Sequence, residues 1–216
     1  MAELLNFISN DGILNTNEDI KIVNPPQKMP IFILIDNSGS MTMGRNLLLE
    51  SVNKVLSILY HDRFARERAD VYILTCSDNV KIVKRGGALE SESLPVLVCE
   101  GFSELGSALK ITIDLIKQIF KETDSATPCS KPLILLFSDG YVSDSGPDSI
   151  LFEAGIKIIK ESVKTDRLIV FSFAIGEYCD YDNLRDITGL SDYSHVIPIS
   201  NSSSSFDKFS GLFSPD

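Results

Sequence analysis

Two stretches of this chain, residues 30–35 and 133–137, are apolar without interruption, and each runs straight into a polar loop. Runs of five or six residues are far too short to cross a bilayer and too short for a buried helix. As strands they have no face to offer water, so both sides of the sheet they build must be covered. That requirement restricts the chain to a layered α/β arrangement.

The covering helices are visible between the strands. Residues 46–60 place Leu48, Val52, Val55, Leu56 and Leu59 at helical spacing, and 104–120 repeats the pattern with Leu105, Ala108, Leu109, Ile113, Ile116 and Phe120. A third helix is expected over 149–163, behind the start signal Gly146-Pro147-Asp148, with Leu151, Ala154, Ile158 and Ile159 at helical spacing. Residues 70–76 and 80–84 are β-rich and separated by Ser77-Asp78-Asn79, which reads as a hairpin. Residues 168–175 and 195–199 complete the strands, with a short helix over 182–188 ended by Gly189. The expected fold is a doubly wound α/β domain. Its sheet is six-stranded and mainly parallel, with one antiparallel edge strand and helices on both faces. The domain is expected over 30–213. Residues 1–29, closed off by Pro25-Pro26, read as an N-terminal extension or short hairpin. The serine run 202–205 reads as loop, and 206–213 as a final amphipathic turn or two.

A length of 216 residues fits one domain with a full core. Thirty acidic residues against twenty basic ones, a net charge of -10, argue against a nucleic-acid backbone or an anionic membrane as partner. The start MAELLNFISND has no basic region ahead of an apolar stretch, so it is not read as a secretory signal, and a cytoplasmic location is expected. Cys76, Cys99, Cys129 and Cys179 are scattered and form no C-x-x-C pair; they read as free thiols in a reducing compartment. With only His61 and His195 besides, a zinc site is not expected.

In doubly wound sheets ligands gather beyond the carboxyl ends of the strands. Three loops fall there: Asp36-Asn37-Ser38-Gly39-Ser40, Gly101-Phe102-Ser103-Glu104-Leu105-Gly106 and Ser138-Asp139-Gly140. The candidate ligands are the carboxylates of Asp36 and Asp139 and the hydroxyls of Ser38, Ser40 and Ser103. All are hard oxygen donors, which suits Mg²⁺, with Mn²⁺ or Ca²⁺ as alternatives. Asp36 is the anchor, because a carboxylate ending a buried strand is costly without a charged or hydrogen-bonding partner. Plainer roles compete: Ser103 as N-cap of a helix starting at Glu104, Asp139 and Asp144 as turn residues, and Asn37 as a prop of its loop. No nucleophile elbow, P-loop or suitably placed histidine marks an enzyme. The catalytic alternative is a metal-assisted phosphohydrolase using Asp36, with Arg45 as the nearest basic residue.

Asp36-Asn37-Ser38-Gly39-Ser40 behind a buried first strand resembles the D-x-S-x-S signature of the metal-ion-dependent adhesion site in von Willebrand factor A domains. Ser103 falls where that family usually has threonine, and Asp139 matches its aspartate after the central strand; the match covers roughly residues 30–200. The stretch Gly101-Phe102-Ser103-Glu104-Leu105-Gly106-Ser107-Ala108-Leu109 resembles the G-G-T-x-L-G-x-A-L segment of compact bacterial members. Together with Asp139-Gly140-Tyr141-Val142-Ser143-Asp144 it is similar to the tellurium-resistance group. The resemblance implies that Ser38, Ser40 and Ser103 ligate the ion while Asp36 and Asp139 act directly or through water. It implies a partner protein whose carboxylate completes the shell, with Asn37, Phe102 and Asp144 facing it. A non-catalytic binding module in a bacterial stress-response complex follows, alongside kinase- or phosphatase-like proteins. The chain departs from the pattern at Ser103, which lacks the stiffening methyl of threonine, and at Phe102, which replaces a glycine.

Overall fold

The structure is a computed structural model and describes residues 27–199, apart from 92, 95, 96, 123–128 and 143–145. The elements, in chain order, are β1 (Met29–Asp36), a 3-10 turn (Gly39–Thr42), α1 (Arg45–His61), α2 (Arg63–Arg68), β2 (Ala69–Cys76) and β3 (Val80–Lys84). They continue with α3 (Leu105–Glu122), β4 (Leu133–Ser138), α4 (Pro147–Lys164), β5 (Ile169–Ile175), α5 (Tyr181–Thr188) and β6 (Val196–Ile199).

The six strands lie in the order β3-β2-β1-β4-β5-β6, with β2 and β3 antiparallel and every other pair parallel. The expected fold class is the one observed. β1 is central, hydrogen-bonded to β2 from Met29↔Ala69 to Asp36↔Cys76 and to β4 from Ile31↔Leu133 to Ile35↔Phe137. The chain winds outward from β1 in one direction and then, from β4, in the other. The β1–β4 boundary is therefore the switch point, and a crevice opens beyond its carboxyl ends.

Residues 31–35 are fully buried, as a strand covered on both faces requires. Period-two alternation divides them between two cores. Ile31, Ile33 and Ile35 pack with Leu48, Val52, Val55 and Leu59 of α1, while Phe32 and Leu34 pack with Leu105, Leu109, Phe152, Ile159 and Leu184. On that second face α3 and α4 meet at Gly106, where a Cβ would run into the Asp148 backbone and lie 2.6 Å from the Phe152 nitrogen.

Several details differ from expectation. The third helix of the chain begins at Leu105 rather than Glu104. α2 was not visible in the sequence, since RFARER has no apolar repeat; it forms because the Asp62 carboxylate accepts the Ala65 N–H at 2.8 Å and caps its start. The serine run 202–205, the stretch 206–213 and residues 1–26 lie outside the described residues, as does Asp144. Among the described residues, no helix is long and apolar enough to cross a membrane.

Candidate metal centre

The last residue of β1, Asp36, is fully buried at the mouth of the switch-point crevice. Its Oδ1 accepts the Ser38 N–H at 3.0 Å, which curls the loop back over the strand end. Its Oδ2 accepts two hydroxyls, Ser103 Oγ at 3.1 Å and Ser138 Oγ at 2.8 Å. The Ser38 and Ser40 hydroxyls stand 3.1 Å apart on the same loop. Asp139, also buried, follows β4; one of its oxygens accepts the Tyr141 N–H at 3.1 Å, the turn role expected of it.

Burial pushes the Asp36 carboxyl above its ordinary range; hydrogen bonds from Ser38 and Ser138 oppose this, and the nearby Asp139 charge adds to it. Among the described residues, no ion pair involves Asp36 or Asp139. Two buried carboxylates close enough to repel are costly unless a counter-charge joins them. The donors around that opening are all oxygens, so the residues fit a hard divalent ion. No cluster of three or more His, Cys, Asp or Glu occurs among the described residues, and hydroxyls make up the balance here. Cys179 stands near Asp139, and burial, with that charge added, raises its thiol to about 11.

The surrounding loops are held by residues the sequence reading did not single out. Ser103 does not cap α3. Asp148, from the first turn of α4, accepts the Gly106 N–H at 3.0 Å and the Ser107 N–H at 2.7 Å, satisfying two of the amides a helix start leaves open. Asp78, in the β2–β3 turn, accepts the Phe102 N–H at 2.6 Å, and its carboxylate fills the space where a Cβ on Gly101 would lie. Gly101 has φ +77, so glycine is required there on both counts. Ser138 both donates to Asp36 and accepts the Gly140 N–H at 2.9 Å. Its position at the end of an apolar strand was the one available signal.

Asn37, expected to face a partner, instead builds the site. Its Nδ2 donates to the Val98 carbonyl at 2.9 Å, its backbone joins Cys76 and Glu100, and its Oδ1 is buried without a hydrogen-bond partner. Phe102 is 83% exposed beside the opening, which has a volume of about 260 Å³ and is lined by Ser38, Ser40, Gly101, Ser103, Tyr141 and Val142. No hydrogen bond or ion pair joins Arg45 to Asp36 or Asp139 among the described residues.

A doubly wound sheet with hydroxyls and carboxylates gathered at its switch point defines an α/β domain of the layered class. The chain belongs to the von Willebrand factor type A domain family, whose model matches residues 31–211. Solved structures share the fold at low identity. Manganese-loaded TRAP protein of Plasmodium vivax is 13% identical with a TM-score of 0.62, the alignment covering 88% of this chain and 73% of that one. A von Willebrand factor type A protein from Catenulispora acidiphila is 18% identical with a TM-score of 0.60, covering 87% and 42%. Proximal thread matrix protein 1 from the mussel byssus, with a zinc occupied MIDAS motif, is 15% identical with a TM-score of 0.51, covering 87% and 47%. This chain thus spans less than half the length of the last two. A search of curated proteins finds no match.

Proposed function

We propose that this chain is a non-catalytic protein-binding module that engages an acidic group of a partner through a divalent cation. Asp36, Ser38, Ser40, Ser103 and Asp139 would hold the ion, and Phe102 and Asp144 would meet the partner. The observation that carries this reading is buried Asp36, held by the Ser103 hydroxyl and acted on by the charge of buried Asp139, next to an opening lined by Ser38, Ser40 and Ser103. Bound there, the ion would supply a positive centre for an incoming carboxylate. The chain's own residues set the donor positions, keep Asp36 out of bulk water and present Phe102 at the rim. The all-oxygen donor set favours Mg²⁺ or Mn²⁺, with Ca²⁺ also possible. The manganese-loaded and zinc-occupied structural neighbours support a divalent ion.

The finer reading places the chain in the tellurium-resistance-type group, in a bacterial cytoplasmic stress-response complex with kinase- or phosphatase-like partners. The segment 101–109 supports it. The folded unit is taken as 30–213, with 1–29 as an extension. Titration with Mg²⁺ and Mn²⁺ during thermal unfolding tests the core of the proposal. The wild type is expected to gain stability with ion concentration, and Asp36→Ala, folded by circular dichroism, to lose that gain. Equal curves with and without ion over the millimolar range would overturn it.

A further inference from the structure

The two helices α3 and α4 approach closely only over their N-terminal halves. Gly106 lets the backbones meet, and Gly155 lies against Leu109, whose Cβ is 3.2 Å from where a glycine Cβ would be. From Ile113 onward a groove of about 500 Å³ opens between them. Its floor and walls are Ile116, Phe120, Ile158 and Leu168, with Phe120 48% and Ile158 40% exposed. Lys117, Lys157 and Arg167 rim it against the single acid Glu161. Lys117 has only Asp114 at 3.9 Å, and Lys157 has no ion pair among the described residues. On a chain of net charge -10 this is a local reversal of sign. An apolar floor under a cationic rim fits a segment that combines large apolar side chains with acids.

We propose that the groove is occupied by the chain's own N-terminal segment, residues 1–20. That segment carries Glu3, Asp11, Glu18 and Asp19 and no lysine or arginine, together with Leu4, Leu5, Phe7, Ile8, Ile13 and Leu14. It also joins the domain at the correct end. Met29 opens β1 and Lys28 bridges Cys129, while Arg167 and Leu168 lead into β5, the second strand over. Two strand spacings are roughly 10 Å, and chain spans up to about 3.3–3.6 Å per residue, so reach sets no limit. The covalent tether raises the effective concentration to the order of millimolar. The other end of the chain fits less well: β6 ends at Ile199 beside Ile175, at the carboxyl end of β5 and away from Leu168, and residues 200–216 hold only Asp207 and Asp216 against Lys208.

The test uses the full chain with the photo-crosslinking residue p-benzoylphenylalanine at position 120. Isotope-labelled and unlabelled protein are mixed, irradiated and mapped by mass spectrometry. Crosslinks to residues 1–20 within one chain are expected. Crosslinks only to a second copy, only to residues 200–216, or none to residues 1–20 would overturn the assignment. The charge arm pairs Lys117→Glu with Lys157→Glu, both at exposed positions, with folding checked by thermal melting. About a fivefold loss of crosslink yield is expected from two such pairs, recovered when Glu3→Lys and Asp11→Lys are added. A yield unchanged by the first pair, or not recovered by the second, would also overturn it.

Discussion

Ser103 Oγ donates to Asp36 Oδ2 across 67 residues of chain at 3.1 Å. A different residue takes the role that local sequence would assign to Ser103. Asp148, from the first turn of α4, accepts the Gly106 and Ser107 amides at the start of α3, next to Ser103 in the chain. The site therefore depends on α4 as well as on the three loops that carry its oxygens.

If Ser103 is a ligand, Ser103→Ala weakens Mg²⁺ or Mn²⁺ binding by about tenfold or more, while Ser103→Thr keeps it, because the added methyl restricts χ1 without removing the oxygen. Isothermal titration calorimetry measures both. An alanine variant that binds like the wild type would remove Ser103 from the site.

Asp148→Ala strips two helix-start amides of their acceptor and is expected to cost about 1–2 kcal/mol, or roughly 2–8 °C in a domain of this size. Hydrogen exchange gives the specific readout: the Gly106 and Ser107 amides should exchange faster in this variant and not in Ser103→Ala. The reverse pattern would return the cap to Ser103.

Asp36→Asn separates the ion from the fold. Its carbonyl can keep the Ser38 N–H, and its amide can donate to the Ser103 and Ser138 hydroxyls, which rotate to accept. A carboxyl whose folded-state pKa is raised stabilises the fold below its ordinary pKa of 3.8, and that contribution is lost as pH rises through the higher folded value. In chelator, the wild type should therefore lose stability relative to Asp36→Asn as pH climbs above that range. With metal added, only the wild type should gain. Melting curves over a pH series check the sign, and parallel pH profiles in chelator would contradict the burial argument.

Asp78→Ala removes no oxygen from the cup, yet it frees the Phe102 amide and the Gly101 turn that place Ser103. An affinity loss of about tenfold is expected with only a small change in melting temperature. Unchanged affinity would show that the 101–103 loop holds its shape without Asp78.

Much of the molecule was legible in its sequence for a simple reason. Burial acts on residues one at a time, so the uninterrupted runs 30–35 and 133–137 and the helical spacing of Leu48, Val52, Val55 and Leu59 declare their environment locally. Asp36-Asn37-Ser38-Gly39-Ser40 was equally legible as a loop, because its anchor and hydroxyls lie within five residues. The short helix α2 escaped because its capping residue Asp62, rather than any apolar repeat, starts it.

What the sequence by itself determined is the set of strands and helices and the oxygens that each loop can offer. Tertiary structure decided which of those oxygens meet. It put Ser138 on Asp36, turned Asn37 inward to Val98, and moved the α3 cap to Asp148. Each of these is a hydrogen bond between residues far apart in the chain, and its directionality depends on how β1, β4, α3 and α4 are placed relative to one another. No local periodicity encodes that placement; the packing of the whole sheet and its helices does.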